Sequence, residues 1–411
     1  MIDRRTLFAG IAATALLPRF ALAAASDLKS LTTNIVSIGR AERVARIAKA
    51  QRLMRANGIG AILIEPGSSL DYFTGVKWWR SERLTCAVLP VEGNPCVVTP
   101  FFEEPSVRES LGVPAEVRVW QEDESPIAQV VAFLKSRKLD KRPVGIEETV
   151  RFFASDGLAR ALPVAKMVSA NPVVRGCRMI KTPAEIALMQ TATAITVAAI
   201  NHTIPRIEVG MMPADISAMI NAATTALGGT PEFALVLLGE ASAYPHGSGK
   251  PQRVAMREPI LMDCGCTVGG YQSDVSRTVV LGGATDEQRR VFGHMQEGQH
   301  IAFAAAQIGR TAGSVDDAVR AYYEKLGYGP GYKLPGLSHR TGHGIGMDGH
   351  EPVNLVHGEL TKLAPGMCFS NEPGLYLPGK FGIRIEDCFH MTDNGPVWFS
   401  TPQTSIEYPA D

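Results

Sequence analysis

The sequence predicts an α/β N-terminal domain followed by an α+β domain, and three observations carry that expectation. The chain has 411 residues, more than one average domain and enough to bury a full core in each of two. After a short leader, strand-like and helix-like segments alternate as far as residue 175, the pattern of an α/β layer. From residue 176 to 411, capped helices stand beside strands that turn back on one another, which is the α+β pattern.

Composition narrows the function before any motif is considered. Lys+Arg and Asp+Glu both number 41, so nothing implies a nucleic-acid or anionic-membrane binder. With 45% hydrophobic and 20% charged residues, wholesale disorder is excluded. The 7 cysteines are odd in number and scattered, unlike a disulfide framework. Residues 1–25 read as a leader. Arg4-Arg5 precede an apolar run from Leu7 to Leu17, then Pro18, Arg19 and Ala21-Leu22-Ala23. A charged head, a short apolar stretch and an A-x-A site make a secretory signal, too short to be an integral membrane span. The paired arginines resemble the twin-arginine type that exports folded proteins, which places the mature chain in a bacterial periplasm.

Within residues 26–175, Ala41 to Asn57 reads as a helix with Val44, Ile47, Ala48 and Met54 on one face, ended by Asn57-Gly58. A strand is expected at Ala61 to Ile64, and a hairpin joins Leu84–Pro90 to Pro95–Thr99 around Glu92-Gly93-Asn94. Ser125-Pro126 starts a helix with Ile127, Val130, Val131 and Leu134 at i, i+3, i+4, i+7. Further strands are expected at Glu116 to Trp120, Pro143 to Ile146 and Val164 to Ser169, so the sheet is mixed. Asn171 to Arg178 reads as a connection. The second domain opens with a capping box, Thr182 with Glu185, and further helices start at Thr285 and Ser314. Strands are expected at Ile260 to Cys266, Gln272 to Leu281, Met367 to Ser370 and Gly382 to Met391.

The chemistry is announced by acids inside apolar strands. Asp263 interrupts Pro259-Ile-Leu-Met, and a buried ionised carboxylate is costly unless paired or bound to a metal. Asp274 begins the next strand, and the turn Thr267-Val-Gly-Gly270 brings the two acids together across a hairpin. Ser338 to Pro352 contains His339, His343 and His350 among glycines, a ligand loop without the i, i+4 spacing of helical zinc proteases. Glu372 leaves an apolar strand before Pro373. In Gly382 to His390, alternation puts Ile383, Ile385 and Phe389 on one face and Arg384, Glu386 and Cys388 on the other. Four carboxylates in one pocket repel unless compensated, and two divalent cations balance them. Oxygen donors with an imidazole favour manganese, cobalt, iron or zinc over a thiolate-bound metal. Cys264 and Cys266 alternate away from the face of Asp263 and read as small core residues.

The order Asp263, Asp274, His343, Glu372, Glu386 resembles the five-ligand signature of the pita-bread metallopeptidases. The strings SDVSRT, GHGIGMDGHEP, NEPGLYLPGKFG and IRIED are most similar to the Xaa-Pro dipeptidase and aminopeptidase P branch, and SLDYFTG resembles its early strand and loop. The resemblance implies a pita-bread catalytic domain with two divalent ions, manganese foremost, that hydrolyses Xaa-Pro bonds of short proline-containing peptides. By that resemblance Glu372 binds metal and takes the proton of the attacking water, Glu386 bridges both ions, and Asp274 and His343 share one. His246 and His350 match histidines that contact substrate and stabilise the tetrahedral intermediate, and Arg384 orients carboxylate ligands. Trp78 and Trp79 match aromatics that can close over the site, a lid role that stands beside ordinary packing. His339 and His390 match no role. A homodimer or homotetramer is implied. Relatives on this fold include metal-free amidinohydrolases acting on creatine, metal-dependent lyases acting on dimethylsulfoniopropionate, and non-catalytic binding modules. The intact ligand set argues against the first and the last.

Overall fold

The structure, a computed structural model, describes residues 27–407; the expected leader lies outside the described residues. The first half comprises α1 (Arg40–Ala56), β1 (Ala61–Ile64), α2 (Ser68–Thr74), β2 (Cys86–Pro90), β3 (Cys96–Pro100), α3 (Glu104–Ser110) and β4 (Glu116–Trp120). It continues with α4 (Pro126–Ser136), β5 (Val144–Ile146), α5 (Phe152–Ala161), β6 (Met167–Ser169) and α6 (Asn171–Arg178). The strands form one mixed sheet in the order β4-β3-β2-β1-β5-β6. Strands β1, β2 and β3 run antiparallel, while β4 is parallel to β3 and β5 to β1. The expected hairpin is β2–β3.

Four local expectations are corrected. The buried stripe of α1 is Arg46, Ile47, Ala50 and Met54, whereas Val44 is exposed. The stripe rotates toward Arg46 because its Nη2 is paired inside, with Tyr271 Oη at 2.8 Å and Glu185 Oε1 at 3.3 Å. Ser69–Thr74 is helix rather than strand and loop; α2 starts after Gly67 (φ 145°) and ends at Gly75 in the left-handed region (φ 82°). Asn171–Arg178 is the helix α6 rather than a bare connection, since Pro172 presets its first turn and Val173, Val174 and Cys177 bury one face. Ser125 stands at the N-cap of α4, but its side chain makes no capping bond.

The second half comprises α7 (Pro183–Thr203), α8 (Pro213–Ala226), β7 (Thr230–Leu238), β8 (Pro259–Val268), β9 (Tyr271–Gln272), β10 (Val275–Val280), α9 (Asp286–Ala305) and α10 (Gly313–Lys325). It ends with β11 (Gly342–Gly344), β12 (Glu351–Leu355), β13 (Cys368–Asn371), β14 (Leu375–Leu377), β15 (Phe381–Ile383), β16 (Asp387–Thr392) and β17 (Gly395–Trp398). Thr182 and Glu185 close the expected capping box on α7, and Thr285 with Gln288 closes another on α9. By length and hydropathy the segment Pro183–Arg206 could cross a membrane, yet half of that window is buried, as in a core helix. One antiparallel sheet has the order β10-β8-β7, with β9 also on β8; a second has the order β12-β11-β13-β16-β17. Gly269 (φ 59°) and Gly270 (φ 86°) form the two-residue turn between β8 and β9, as Gly-Gly at a tight hairpin requires.

Two expected strands are each broken at an acid. Gln272–Leu281 splits at Ser273-Asp274, and Gly382–Met391 splits at Arg384–Glu386. The break at Glu386 lets its backbone leave β15 and join the other sheet, with Glu386 N donating to Ser276 O at 3.0 Å and Ser276 N to Glu386 O at 3.3 Å. The two sheets are thus stitched together at the positions that carry the acids.

Candidate metal centre and active site

Three of the expected ligands sit where a strand starts or ends, and two lie within strands. Asp263 lies within β8, opposite Ser276 of β10 and Leu235 of β7. Asp274 directly precedes β10, Glu372 follows β13 and Glu386 precedes β16. His343 is central in β11, between two glycines that admit its neighbours. A Cβ on Gly342 would lie 2.1 Å from Ser370 O, and one on Gly344 would lie 2.6 Å from Glu351 O. Every ligand-bearing backbone is therefore held by a ladder on at least one side.

The structure brings all five together. His343 Nε2 lies 3.2 Å from Glu372 Oε1 and 3.6 Å from Asp274 Oδ2. Donor atoms of Asp263, Asp274 and Glu386 lie within 4.8 Å of one another, as do those of His343, Glu372 and Glu386. His343 Nδ1 is 3.1 Å from Gly344 O, a carbonyl that can only accept, so Nδ1 carries a proton and Nε2 is the nitrogen that faces the carboxylates. Arg384 pairs with Asp263 through Nη2 and donates to Ser276 Oγ (3.0 Å) and Tyr376 Oη (3.1 Å). Ser276 Oγ in turn lies 2.9 Å from Asp263 Oδ1 and 3.0 Å from Glu386 Oε2.

The donor set fits divalent cations. Burial, followed by the charges of Asp263 and Glu372, raises Asp274 well above the ordinary carboxylate range. Burial and then Asp274 do the same to Glu386. Glu372 also suffers burial, but the hydrogen bond and charge of His343 hold it at about 2. Glu386 Oε1 is buried with no hydrogen-bond partner among the described residues. A carboxylate oxygen left without a partner inside a cluster of acids is what a bound cation relieves. Thiols do not contribute: Cys264 and Cys266 are buried in the core, and all seven cysteines are free.

A cavity of about 520 Å³ opens onto the cluster and is lined by Asp263, Asp274, His343, Glu372, Glu386 and Arg384, together with His246 and His350. The His350 ring lies 3.9 Å from that of His343, centroid to centroid. Its Nδ1 is 3.0 Å from Arg340 Nη2, and because a guanidinium only donates, Nδ1 accepts and the proton of the neutral ring resides on Nε2. Desolvation, His343 and the Arg340 charge lower His350 to about 4, so it is neutral at pH 7. Trp78 and Trp79 stack at 5.0 Å, but neither lines the cavity; Trp78 packs on the core and Trp79 is exposed.

Five further residues belong to the site or brace it. His339 lines the cavity, and its Nε2 meets Tyr376 Oη at 2.8 Å while Nδ1 meets Arg340 O at 2.8 Å. Arg340 and Glu232 line the same cavity, and Ser276 ties Asp263 to Glu386. His339 and Arg340 stand in the loop with His343, and Tyr376 in the string that holds Glu372, so proximity in sequence was their one signal. His390 lies tilted against Phe399, ring centroids 5.0 Å apart, and does not line the cavity.

A two-domain fold with a carboxylate–histidine cluster inside an antiparallel catalytic unit defines a metallopeptidase of the pita-bread type. The chain belongs to metallopeptidase family M24, which matches residues 187–393, and the creatinase/prolidase N-terminal domain matches residues 46–180. It is 33% identical to a probable dipeptidase PepE of Mycobacterium tuberculosis, over 86% of this chain and 92% of that one. It is 31% identical to an Xaa-Pro dipeptidase of Lactobacillus helveticus, over 84% and 94%. The crystal structure of dipeptidase PepE from Mycobacterium ulcerans superposes with a TM-score of 0.83 at 30% identity, covering 91% of this chain and 100% of that one. A prolidase from Thermococcus sibiricus gives 0.80 at 28% identity, covering 89% and 98%.

Proposed function

We propose that this metallopeptidase uses two divalent ions, manganese foremost, to hydrolyse the Xaa-Pro bond of dipeptides or short peptides. The observation that carries the reading is the convergence of five donor side chains on one cavity, with Glu386 Oε1 left unpartnered among them. Asp263 would hold one ion, Asp274, His343 and Glu372 the other, and Glu386 both. Ions bound there supply water of lowered pKa and polarise the scissile carbonyl.

The remaining work falls to the chain's own groups. Glu372, held ionised beside His343, accepts the proton of the attacking water and can pass it to the leaving nitrogen. His350, neutral with its proton on Nε2, donates to the oxygen on which charge develops. His246 lines the same cavity and is read as the second such donor. Arg384 keeps Asp263 oriented through two of its nitrogens and Ser276. The preference for proline rests on relatives named Xaa-Pro dipeptidases.

Manganese-loaded protein is expected to release proline from Ala-Pro, to lose that activity to chelator, and to bind two ions per chain by elemental analysis. Absence of hydrolysis of every Xaa-Pro dipeptide and tripeptide tried, with two ions bound, would sink the reading. We also propose export through the leader, tested by fractionating cells that carry the Arg4→Lys, Arg5→Lys double variant. Accumulation of that variant in the periplasm would exclude the twin-arginine route.

A further inference from the structure

We infer that Glu232 selects substrates whose residue before proline is lysine or arginine, by pairing with that cation at the rim of the metal cavity; the inference rests on the proposed Xaa-Pro hydrolysis. Strand β7 supplies one wall of the cavity through Glu232, Phe233 and Leu235, and Pro245 lines it as well. Leu235 stands opposite Asp263 and Phe233 opposite Gly265, so these two share the cavity face. Ala234 stands opposite the buried Cys264 and faces the core. Strict alternation would send Glu232 to the core face with Ala234.

The strand prevents this by slipping its register. Pro231 pairs with Cys266 and Phe233 with Gly265, which leaves Glu232 as the extra residue of a β-bulge. A bulge re-aims a side chain, and this one turns an exposed carboxylate to the cavity mouth. Pro231 suits the slip because it has no N–H to offer the ladder. Gly265 permits it, since a Cβ there would lie 2.4 Å from Phe233 Cε1. Ser217 Oγ of α8, 2.8 Å from Ala234 O, holds the strand beside it.

Glu232 is the one lining carboxylate outside the metal cluster, and among the described residues it has no ion pair. The lining guanidiniums are engaged elsewhere, Arg384 on Asp263 and Arg340 on Asn354 and His350. From the metal cluster outward the β7 wall runs Leu235, Phe233, Glu232, an apolar ledge that ends in a negative charge. Lysine and arginine carry the matching order, an apolar stem and a cationic tip, and they lay the stem on apolar surface while the tip stays in water. A neutral aliphatic side chain would cover the ledge and leave Glu232 unpaired. An acidic one would be repelled by it.

The test compares Lys-Pro with norleucyl-Pro, which has the same four-carbon stem without the ammonium, and with Glu-Pro, on manganese-loaded enzyme. At low ionic strength the wild-type kcat/KM for Lys-Pro is expected to exceed that for norleucyl-Pro by about 5-fold, the worth of a charge pair at an exposed rim, and that for Glu-Pro by more. Concentrated salt should shrink the advantage. Glu232→Gln should bring Lys-Pro and norleucyl-Pro together by raising KM for Lys-Pro. Glu232→Arg should turn the preference toward Glu-Pro, a reversal that loss of folding could not produce. Equal use of Lys-Pro and norleucyl-Pro by the wild type, or a preference for Lys-Pro that survives in Glu232→Gln, would overturn the inference. Should neither be cleaved, calorimetry on the same manganese-loaded protein decides. Tighter binding of Lys-Pro that is lost in Glu232→Gln would strike the hydrolytic reading and leave Glu232 its role, whereas equal Kd values, or no binding of either, would overturn the inference too.

Discussion

Glu372 combines two properties that a proton acceptor beside a metal needs. Its buried carboxylate is kept ionised by His343, and it sits at the strand end where Thr341 O accepts from its backbone N–H at 2.9 Å. Glu372→Gln removes the charge with little change of shape, so turnover of Ala-Pro is expected to fall by about 10²–10⁴-fold, the usual contribution of a general base. Retention of more than a tenth of wild-type kcat would show that the proton goes elsewhere. At this scale the five candidate ligands that converge on one cavity were legible, the acids because a carboxylate beside apolar strand residues has few reasons to be there, and His343 because it stands among glycines. His339 and Tyr376 were not. Their meaning is a chain of bonds, Arg384 to Tyr376 to His339 to the Arg340 carbonyl, that exists only after β14 and the ligand loop have packed together. Nothing in the composition of either residue's neighbourhood distinguishes it from a core aromatic or a structural histidine.

The elements explain why the ligands converge. Strand β11 can lie between β12 and β13 because Gly342 and Gly344 carry no side chain. A methyl group on Gly342 would collide with the carbonyl of Ser370, whose hydroxyl accepts from the His343 backbone N–H at 3.0 Å and approaches Glu372 at 3.3 Å. Gly342→Ala is therefore expected to cost about 1–3 kcal/mol of stability, as overpacking does. It should also weaken metal binding by displacing His343, whereas Gly379→Ala, at a site open to solvent, should leave metal affinity as it is. Denaturant unfolding and a manganese titration of the two variants check both statements; an unchanged metal affinity in Gly342→Ala would mean that β11 adjusts without moving its ligand. Periodicity foresaw β8, β13 and the stretches that hold β9, β10, β15 and β16, drew two of those stretches as continuous, and missed β7, β12, β14, β17 and the short β11 that carries His343. Alternation reports which face a residue occupies, and it placed Ile383, Ile385 and Phe389 correctly in one core and Cys388 in the other. It is silent on where a backbone changes its ladder partner, which here is decided by Ser276 and Glu386 bonding across two sheets.

At the scale of the molecule, the ligand loop is also anchored to the junction between the domains. Glu351 is buried and accepts from Lys181 Nζ at 2.9 Å, from Arg178, and from the backbone N–H of Met347 at 2.9 Å. Burial alone would raise its pKa, but Lys181 and Arg178 hold it at about 2, against an ordinary value of 4.5. A depressed carboxylate contributes stability that is full above its unfolded pKa and is lost as pH falls through its folded pKa. The contribution of Glu351 is thus expected to be of the order of 3 kcal/mol at neutral pH and to decline between about pH 5 and pH 2. The difference in unfolding free energy between wild type and Glu351→Gln should shrink over that window, and a difference constant with pH would show that the ion pair is not its source.

The same scale governs the metal. The balance of 41 positive and 41 negative residues conceals a pocket in which four carboxylates face His343 and Arg384. Those carboxylates come from both antiparallel sheets, Asp263 and Asp274 from one and Glu372 and Glu386 from the other. Without a cation these carboxylates repel one another across the Ser276–Glu386 stitch; cations bound there would turn that repulsion into a crosslink. Ions that bind only the folded chain stabilise it by about 2.7 kcal/mol at a hundred times Kd. That corresponds to a rise in Tm of roughly 5–10 °C for a domain of this size. The rise should be seen in a thermal melt of chelator-stripped protein on adding manganese, and Glu386→Gln should remove most of it, because that residue touches both halves of the cluster. Glu407→Gln, remote from the cluster on the Arg289 ion pair, should retain the full shift. An identical Tm with and without manganese, far above the concentration that supports activity, would mean that the ions do not bind the folded chain in preference to the unfolded one, and would count against the cluster as their site.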